Sequence, residues 1–304
     1  MSQVTNTPLP PYTPVNKPVV QYIEYNGANF YTELWSVPKD TELKGRIVWV
    51  HGFSEFSKVY VQLFDDLSHS GYEVFFFDQR GAGLTSPGKL KGITDDFHAF
   101  DDLDFFLKKN IDELEARENK KLFLMGHSMG GGISLNYGIK GKYKDHLTGI
   151  AVSGPLVLLH PSTRPGRVLY GISYSAMKLI PNYRMDTKLK EEYITSVPEW
   201  RKFLSNEPVT PLLGSLKNIY EFLKRGERLL EPDYAKGFSV PLLILHGDED
   251  HINDVHASEK FVDLVPIKDK TFIPVKGALH CIFIEREEIY KEAKRDLLDW
   301  LAKH

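Results

Sequence analysis

Apolar positions fall along this chain in two alternating rhythms. Residues 19–36 alternate apolar and polar, VVQYIEY and then ANFYTELW, around Asn26-Gly27. Asn-Gly between alternating runs predicts a tight two-residue β-hairpin. Beyond it come short, largely apolar, strand-like runs: GRIVWVHG at 45–52, YEVFFFDQRG at 72–81, KLFLMGH at 121–127 and LTGIAVSG at 147–154. VPLLILHG at 240–247 and KTFIPVKG at 270–277 complete the set. Stretches of helical period lie between them, near 57–70, 95–116, 128–143, 256–265 and 286–302. In the second of these, Phe97, Phe100, Leu103, Phe106, Leu107, Ile111 and Leu114 share one side; in the last, Ile289, Ala293, Leu297 and Leu301 do. Apolar strands alternating with helices predict an α/β fold, with a mostly parallel sheet covered on both faces.

The rhythm stops between about 155 and 238. Prolines, aromatics and helical fragments fill this stretch, and no clear strand appears. It reads as a cap inserted over the carboxyl edge of a core formed by 19–154 and 239–304. Residues 1–18 carry five prolines and read as an extended, mobile leader. Within the cap, Arg167–Ile180 places Val168, Ile172, Ala176 and Leu179 on one helical face and Tyr170, Tyr174 and Met177 on another. Core burial explains such a helix; so does a wall of an acyl tunnel whose outer face touches a membrane or lipid droplet.

Composition narrows the function classes. The chain has 304 residues, with 38 Lys+Arg against 41 Asp+Glu and a formal net charge of −3. That balance argues against nucleic-acid partners. The single cysteine, Cys281, excludes an intrachain disulfide. MSQVTNTPLPPYTP has neither the basic nor the apolar segment of a secretory signal. The expectation is a cytoplasmic protein.

Gly126-His127-Ser128-Met129-Gly130 lies between an apolar strand and a Gly-rich helix start. In that context G-x-S-x-G marks a serine nucleophile on a sharp turn that leaves no room for large residues two before and two after it. A hydroxyl needs a base and the base an orienting acid, both at the carboxyl ends of later strands. His280 is the histidine after the last strand. Asp248, Glu249, Asp250 and Asp254 crowd the loop after the preceding one, and Asp250, across a G-x-x-D turn, is placed to reach His280. The oxyanion donors would be the N–H groups of Met129 and, after strand 46–51, Phe53. His246, Asp248, Asp250, His251 and His256 are metal-ligand types, but their spacing and the better use of Asp250 argue against a metal.

HGFSE, FDQRGAGLTSPG, GHSMGG, GDED and GALH, in this order, resemble the monoacylglycerol lipase branch of the α/β-hydrolases, close to its fungal members. The resemblance runs from about residue 20 onward. It implies the α/β-hydrolase fold, hydrolysis of monoacylglycerols to fatty acid and glycerol, and no cofactor. It implies Ser128, Asp250 and His280 as catalytic residues, Phe53 and Met129 as oxyanion donors, and Glu55 near the glycerol end of the pocket. Mammalian members carry a second histidine three residues after the catalytic one; Phe283 stands there, and Lys58 is a substitute partner for a glycerol hydroxyl. The competing readings are a lysophospholipase or general carboxylesterase, and a non-catalytic lipid-binding protein of the same fold.

Overall fold

The computed structural model describes residues 9–164, 174–187, 189–209 and 211–304. Its centre is an eight-stranded sheet. The first hairpin, β1 (Val19–Tyr25) and β2 (Ala28–Trp35), pairs antiparallel with Tyr25 opposite Ala28. Asn26 and Gly27 turn between them with φ of 45° and 76°, the left-handed pair that suits the strand twist. Five parallel partners follow in β3 (Gly45–Val50), β4 (Tyr72–Phe77), β5 (Leu122–His127), β6 (Gly149–Ser153) and, after the insertion, β9 (Leu242–Gly247). The last strand, β10 (Lys270–Val275), closes the far edge. Their order is β1-β2-β4-β3-β5-β6-β9-β10, with only β1/β2 and β2/β4 antiparallel.

β3, β4, β5, β6 and β9 are buried along their whole length, whereas the edge strand β10 is buried only at Val275. Ile47 and Trp49 of β3 enter one core with α1 (Val61–His69) and the C-terminal helix. Val48 and Val50 enter the other, with α2 (Asp96–Glu115) and α3 (Ser128–Lys140). After α3 the longer helices among the described residues are α4 (Pro198–Asn206), α5 (Leu216–Arg228), α6 (Val255–Leu264) and α7 (Glu287–Lys303). All four positions predicted to share the buried face of α7, Ile289, Ala293, Leu297 and Leu301, are buried. Phe97 is not: it stands in the first turn of α2, 66 % exposed, with its ring edge to His98. The buried stripe of α2 starts only at Asp102 and Leu103.

Two further expectations change. The stretch read as strandless contains a short antiparallel pair, β7 (Arg184–Asp186) with β8 (Leu213–Ser215). The predicted mobile leader is tied down over its described part. Buried Asp65 of α1 accepts from the Tyr12 hydroxyl at 2.7 Å and from the N–H groups of Val15 and Asn16 at 2.8 and 2.9 Å. The Asn16 amide reaches Ser36 O at 2.7 Å. Of the cap helix read at 167–180, residues 167–173 lie outside the described residues, including Val168, Tyr170 and Ile172. Residues 174–179 are helical.

Strand order reverses at β3, which lies between β4 and β5. The carboxyl ends of β3 and β5 therefore flank a switch point, where doubly wound sheets open a crevice for ligands.

Candidate active site

Ser128 is the first residue of α3, directly after β5. Its φ of 53° is the left-handed region, which a residue with a side chain enters only where its surroundings enforce it. The neighbours explain the enforcement. A Cβ on Gly126 would lie 2.5 Å from Gly130 O, and one on Gly130 would lie 2.1 Å from Val50 O. Only glycine lets β3 and the start of α3 approach this closely.

The hydroxyl of Ser128 lies 2.9 Å from His280 Nε2, and His280 Nδ1 lies 2.7 Å from Asp250 Oδ2. All three residues are buried. A carboxylate only accepts, so Nδ1 carries the ring proton and Nε2 faces the serine as acceptor. Burial pulls the imidazole down, but the adjacent Asp250 charge outweighs it and holds His280 above the usual histidine value. Burial likewise opposes ionisation of Asp250, yet His280 and the hydrogen bonds from His246 and His280 keep it well below the carboxylate range. Asp250 Oδ1 is also satisfied, by the N–H groups of Ile252 and Asn253 at 2.7 and 2.9 Å.

The other acids of the loop are engaged elsewhere. Asp248 is exposed and accepts from Gly277 N–H at 2.6 Å. Glu249 is exposed. Asp254 caps α6 by accepting from His256 N–H. The sequence placed His246 only among metal-ligand residue types, whereas the structure pairs it with the relay. His246 Nε2 donates to Asp250 Oδ2 at 3.1 Å, and its Nδ1 meets Ser258 Oγ at 2.9 Å. The four-residue spacing of His246 and Asp250 across a strand-end turn was the one available signal.

The loop after β3 is folded onto its own side chains. Gln79 N–H donates to His51 Nε2 at 2.9 Å, and burial holds that imidazole down at about 4, neutral. Glu55 Oε2 accepts from Gly52 N–H at 2.6 Å and from the Tyr60 hydroxyl. Phe53 is thereby set at the rim of a cavity of about 740 Å³ that also contains Ser128, Met129, His280 and Glu55. Met129 occupies the first turn of α3, where N–H groups have no intrahelical acceptor. One wall is apolar: Met129, Leu156 and Phe222 pack together, with Phe53, Leu159 and Ile219 against them. Met185, Tyr193 and Leu204, from the insertion, line the cavity as well. Lys58 does not line it; its ammonium lies 5.7 Å from the Phe56 ring. Phe283 is buried against Tyr290.

Residues 41–287 match the family model described as serine aminopeptidase, S33. Monoglyceride lipase of Saccharomyces cerevisiae is 41 % identical over 307 residues, covering 98 % of this chain and 97 % of the relative. A putative monoglyceride lipase of Schizosaccharomyces pombe is 34 % identical, covering 91 % of this chain and 72 % of its own. Among solved structures, a soluble variant of the Saccharomyces cerevisiae monoglyceride lipase, in complex with a substrate analog, superposes with a TM-score of 0.93 at 42 % identity. It covers 97 % of this chain and 98 % of that one.

Proposed function

The chain belongs to the monoglyceride lipase family of α/β-hydrolases, and from that premise we propose that Ser128, His280 and Asp250 hydrolyse the ester bond of monoacylglycerols. The observation that carries the reading is the Ser128–His280–Asp250 relay opening into a cavity with one apolar wall. The acyl chain lies along Met129, Leu156 and Phe222. Ser128 Oγ attacks the ester carbon while its proton passes to His280 Nε2. The oxyanion accepts from the N–H groups of Phe53 and Met129. The C–O bond to glycerol then breaks, and glycerol leaves with the proton from Nε2. Water, deprotonated by His280, attacks the acyl-serine, and its proton returns to Ser128 as the fatty acid departs. No metal or organic group enters any step. Glu55 reaches the glycerol end through the oxygen that the Gly52 loop leaves over.

Residues 155–238 serve as a cap on the core of 19–154 and 239–304. Its apolar outer surface includes Leu179, 82 % exposed, Tyr183, 60 %, and Ile180, 52 %. No helix among the described residues is long and apolar enough to cross a membrane. The cap therefore rests on a lipid droplet or membrane from the cytoplasmic side, by hydrophobic contact rather than through a polybasic run.

The experiment is a side-by-side comparison of turnover on monoolein, triolein, lysophosphatidylcholine and p-nitrophenyl acetate in the same micelles, with Ser128→Ala as blank. Monoolein is expected to be cleaved fastest and triolein poorly, because two further chains would have to stay outside the cavity. Equal rates on monoolein and triolein, or faster turnover of lysophosphatidylcholine, overturn the substrate assignment.

A further inference from the structure

Beside the relay, three side chains from separate segments converge. They are Glu55 from the loop after β3, His127 at the end of β5, and Cys281 after the last strand. Cys281 Sγ lies 3.1 Å from His127 Nε2 and 3.7 Å from Glu55 Oε1. His127 Nε2 lies 3.5 Å from the same Glu55 oxygen. Zinc bonds of about 2.3 Å to sulfur and about 2.0–2.2 Å to nitrogen and oxygen, at tetrahedral angles, set ligand atoms roughly 3.4–3.6 Å apart. The three separations bracket that spacing.

The hydrogen-bond supply points the same way. His127 Nδ1 faces the carbonyl oxygen of Ser153 at 2.9 Å, so it carries the ring proton and Nε2 presents a bare lone pair. Glu55 Oε2 is taken by Gly52 and Tyr60, which leaves Oε1 turned to the cluster. Two acceptor atoms, His127 Nε2 and Glu55 Oε1, thus compete for a single thiol proton. Glu55 and Cys281 both line the active-site cavity, which gives a cation a way in and room for a fourth ligand. This cluster is separate from the histidines and acids of the 246–256 loop.

We propose that Glu55, His127 and Cys281 form a binding site for one thiophilic divalent cation of the zinc–cadmium class, whose occupation stops the neighbouring relay. On binding, the S–H bond breaks, a sulfur–metal bond forms and the proton leaves to solvent. The two positive charges are matched by one thiolate and one carboxylate, with no change of oxidation state. The occupied site lies against the base, because the rings of His127 and His280 are 4.7 Å apart. A positive centre there opposes the imidazolium that His280 must become. It also draws on Glu55, which braces the loop carrying Phe53.

The test is a cadmium titration of the reduced, chelator-treated full chain, followed by the ultraviolet thiolate-to-cadmium absorbance and by ester hydrolysis. One equivalent is expected to raise the band and to suppress hydrolysis in parallel, with both reversed by a chelator. Cys281→Ala should lose the band, keep its hydrolysis, and need roughly tenfold or more cadmium or zinc for inhibition. Unchanged metal sensitivity in Cys281→Ala, or hydrolysis suppressed in the native chain without the band, overturns the site. Inhibition by metal presupposes the hydrolase reading, whereas the band does not. A band that Cys281→Ala abolishes, in a chain that hydrolyses no ester, would uphold the site and defeat only that reading.

Discussion

His246 donates to Asp250 across 3.1 Å, with both side chains wholly withdrawn from solvent. The carboxylate oxygen it meets is the one that faces His280. His246 thus holds the carboxylate that faces His280, and takes up part of the charge it would otherwise offer. His246→Leu is expected to lower kcat by about tenfold with little change in KM, and to move the acidic limb of the pH–rate profile upward. A lower melting temperature with an unmoved pH profile would mean that the histidine merely packs.

Relay members act as a unit, so removing one removes nearly the whole effect. Ser128→Ala and His280→Ala should each cost at least roughly 10³-fold in kcat. Asp250→Asn should be severe. Asp248→Asn should be mild, because Asp248 only ties the Gly277 turn at the surface. Kinetics of the two Asn variants, with circular dichroism to verify folding, check the assignment. Greater damage from Asp248→Asn would reverse it.

As the proposed base His280 acts only when neutral, and Asp250 holds its proton on to higher pH. Activity is therefore lost as pH falls through a value above the ordinary histidine range of about 6.5. The plot of kcat/KM against pH for a soluble ester should show an acidic limb with its midpoint above that value. A midpoint below it would mean that burial, not Asp250, governs the base.

Leu179 and Ile180 are exposed and do not line the cavity. Replacing both with serine should weaken sedimentation with neutral phosphatidylcholine vesicles several-fold and slow turnover of vesicle-borne monoolein. Hydrolysis of a dissolved short-chain ester should stay within about twofold. Unchanged vesicle binding would remove this surface from the contact.

The parts legible in the sequence are those where one local pattern carries the physics. A strand buried on both faces is mostly apolar, so GRIVWV and LLILHG read as core strands without further help, each carrying one polar side chain, Arg46 or His246, that finds buried partners. The glycines around Ser128 and the Asn-Gly turn are dictated by backbone crowding within a few residues. Illegible features depend on distant partners. RMD and LGS are too short and too polar to announce strands, and they pair only because the fold brings 184 beside 215. Phe97 fits the helical period of α2 yet lies a turn before the stripe reaches the core. The pairing of His246 with Asp250, and the meeting of Glu55, His127 and Cys281, join residues whose closeness no periodicity encodes.

The anchoring of the leader on Asp65 has a consequence for handling the protein. Asp65 is 1 % exposed, and its two carboxylate oxygens accept from Tyr12, Val15 and Asn16 of the leader. Trimming the chain back to the first strand would strip these donors from the middle of α1, the helix that follows the Gly52–Glu55 loop, and leave the carboxylate to water and to His69 Nδ1, 3.3 Å away. A hydrogen bond to a charged group contributes up to about 1.5–3 kcal/mol, so losing these takes a sizeable share of a stability margin of roughly 5–15 kcal/mol. An affinity tag or a protease site is therefore best set ahead of residue 9. A shortened version starting at Val19 should melt at a lower temperature than the full chain.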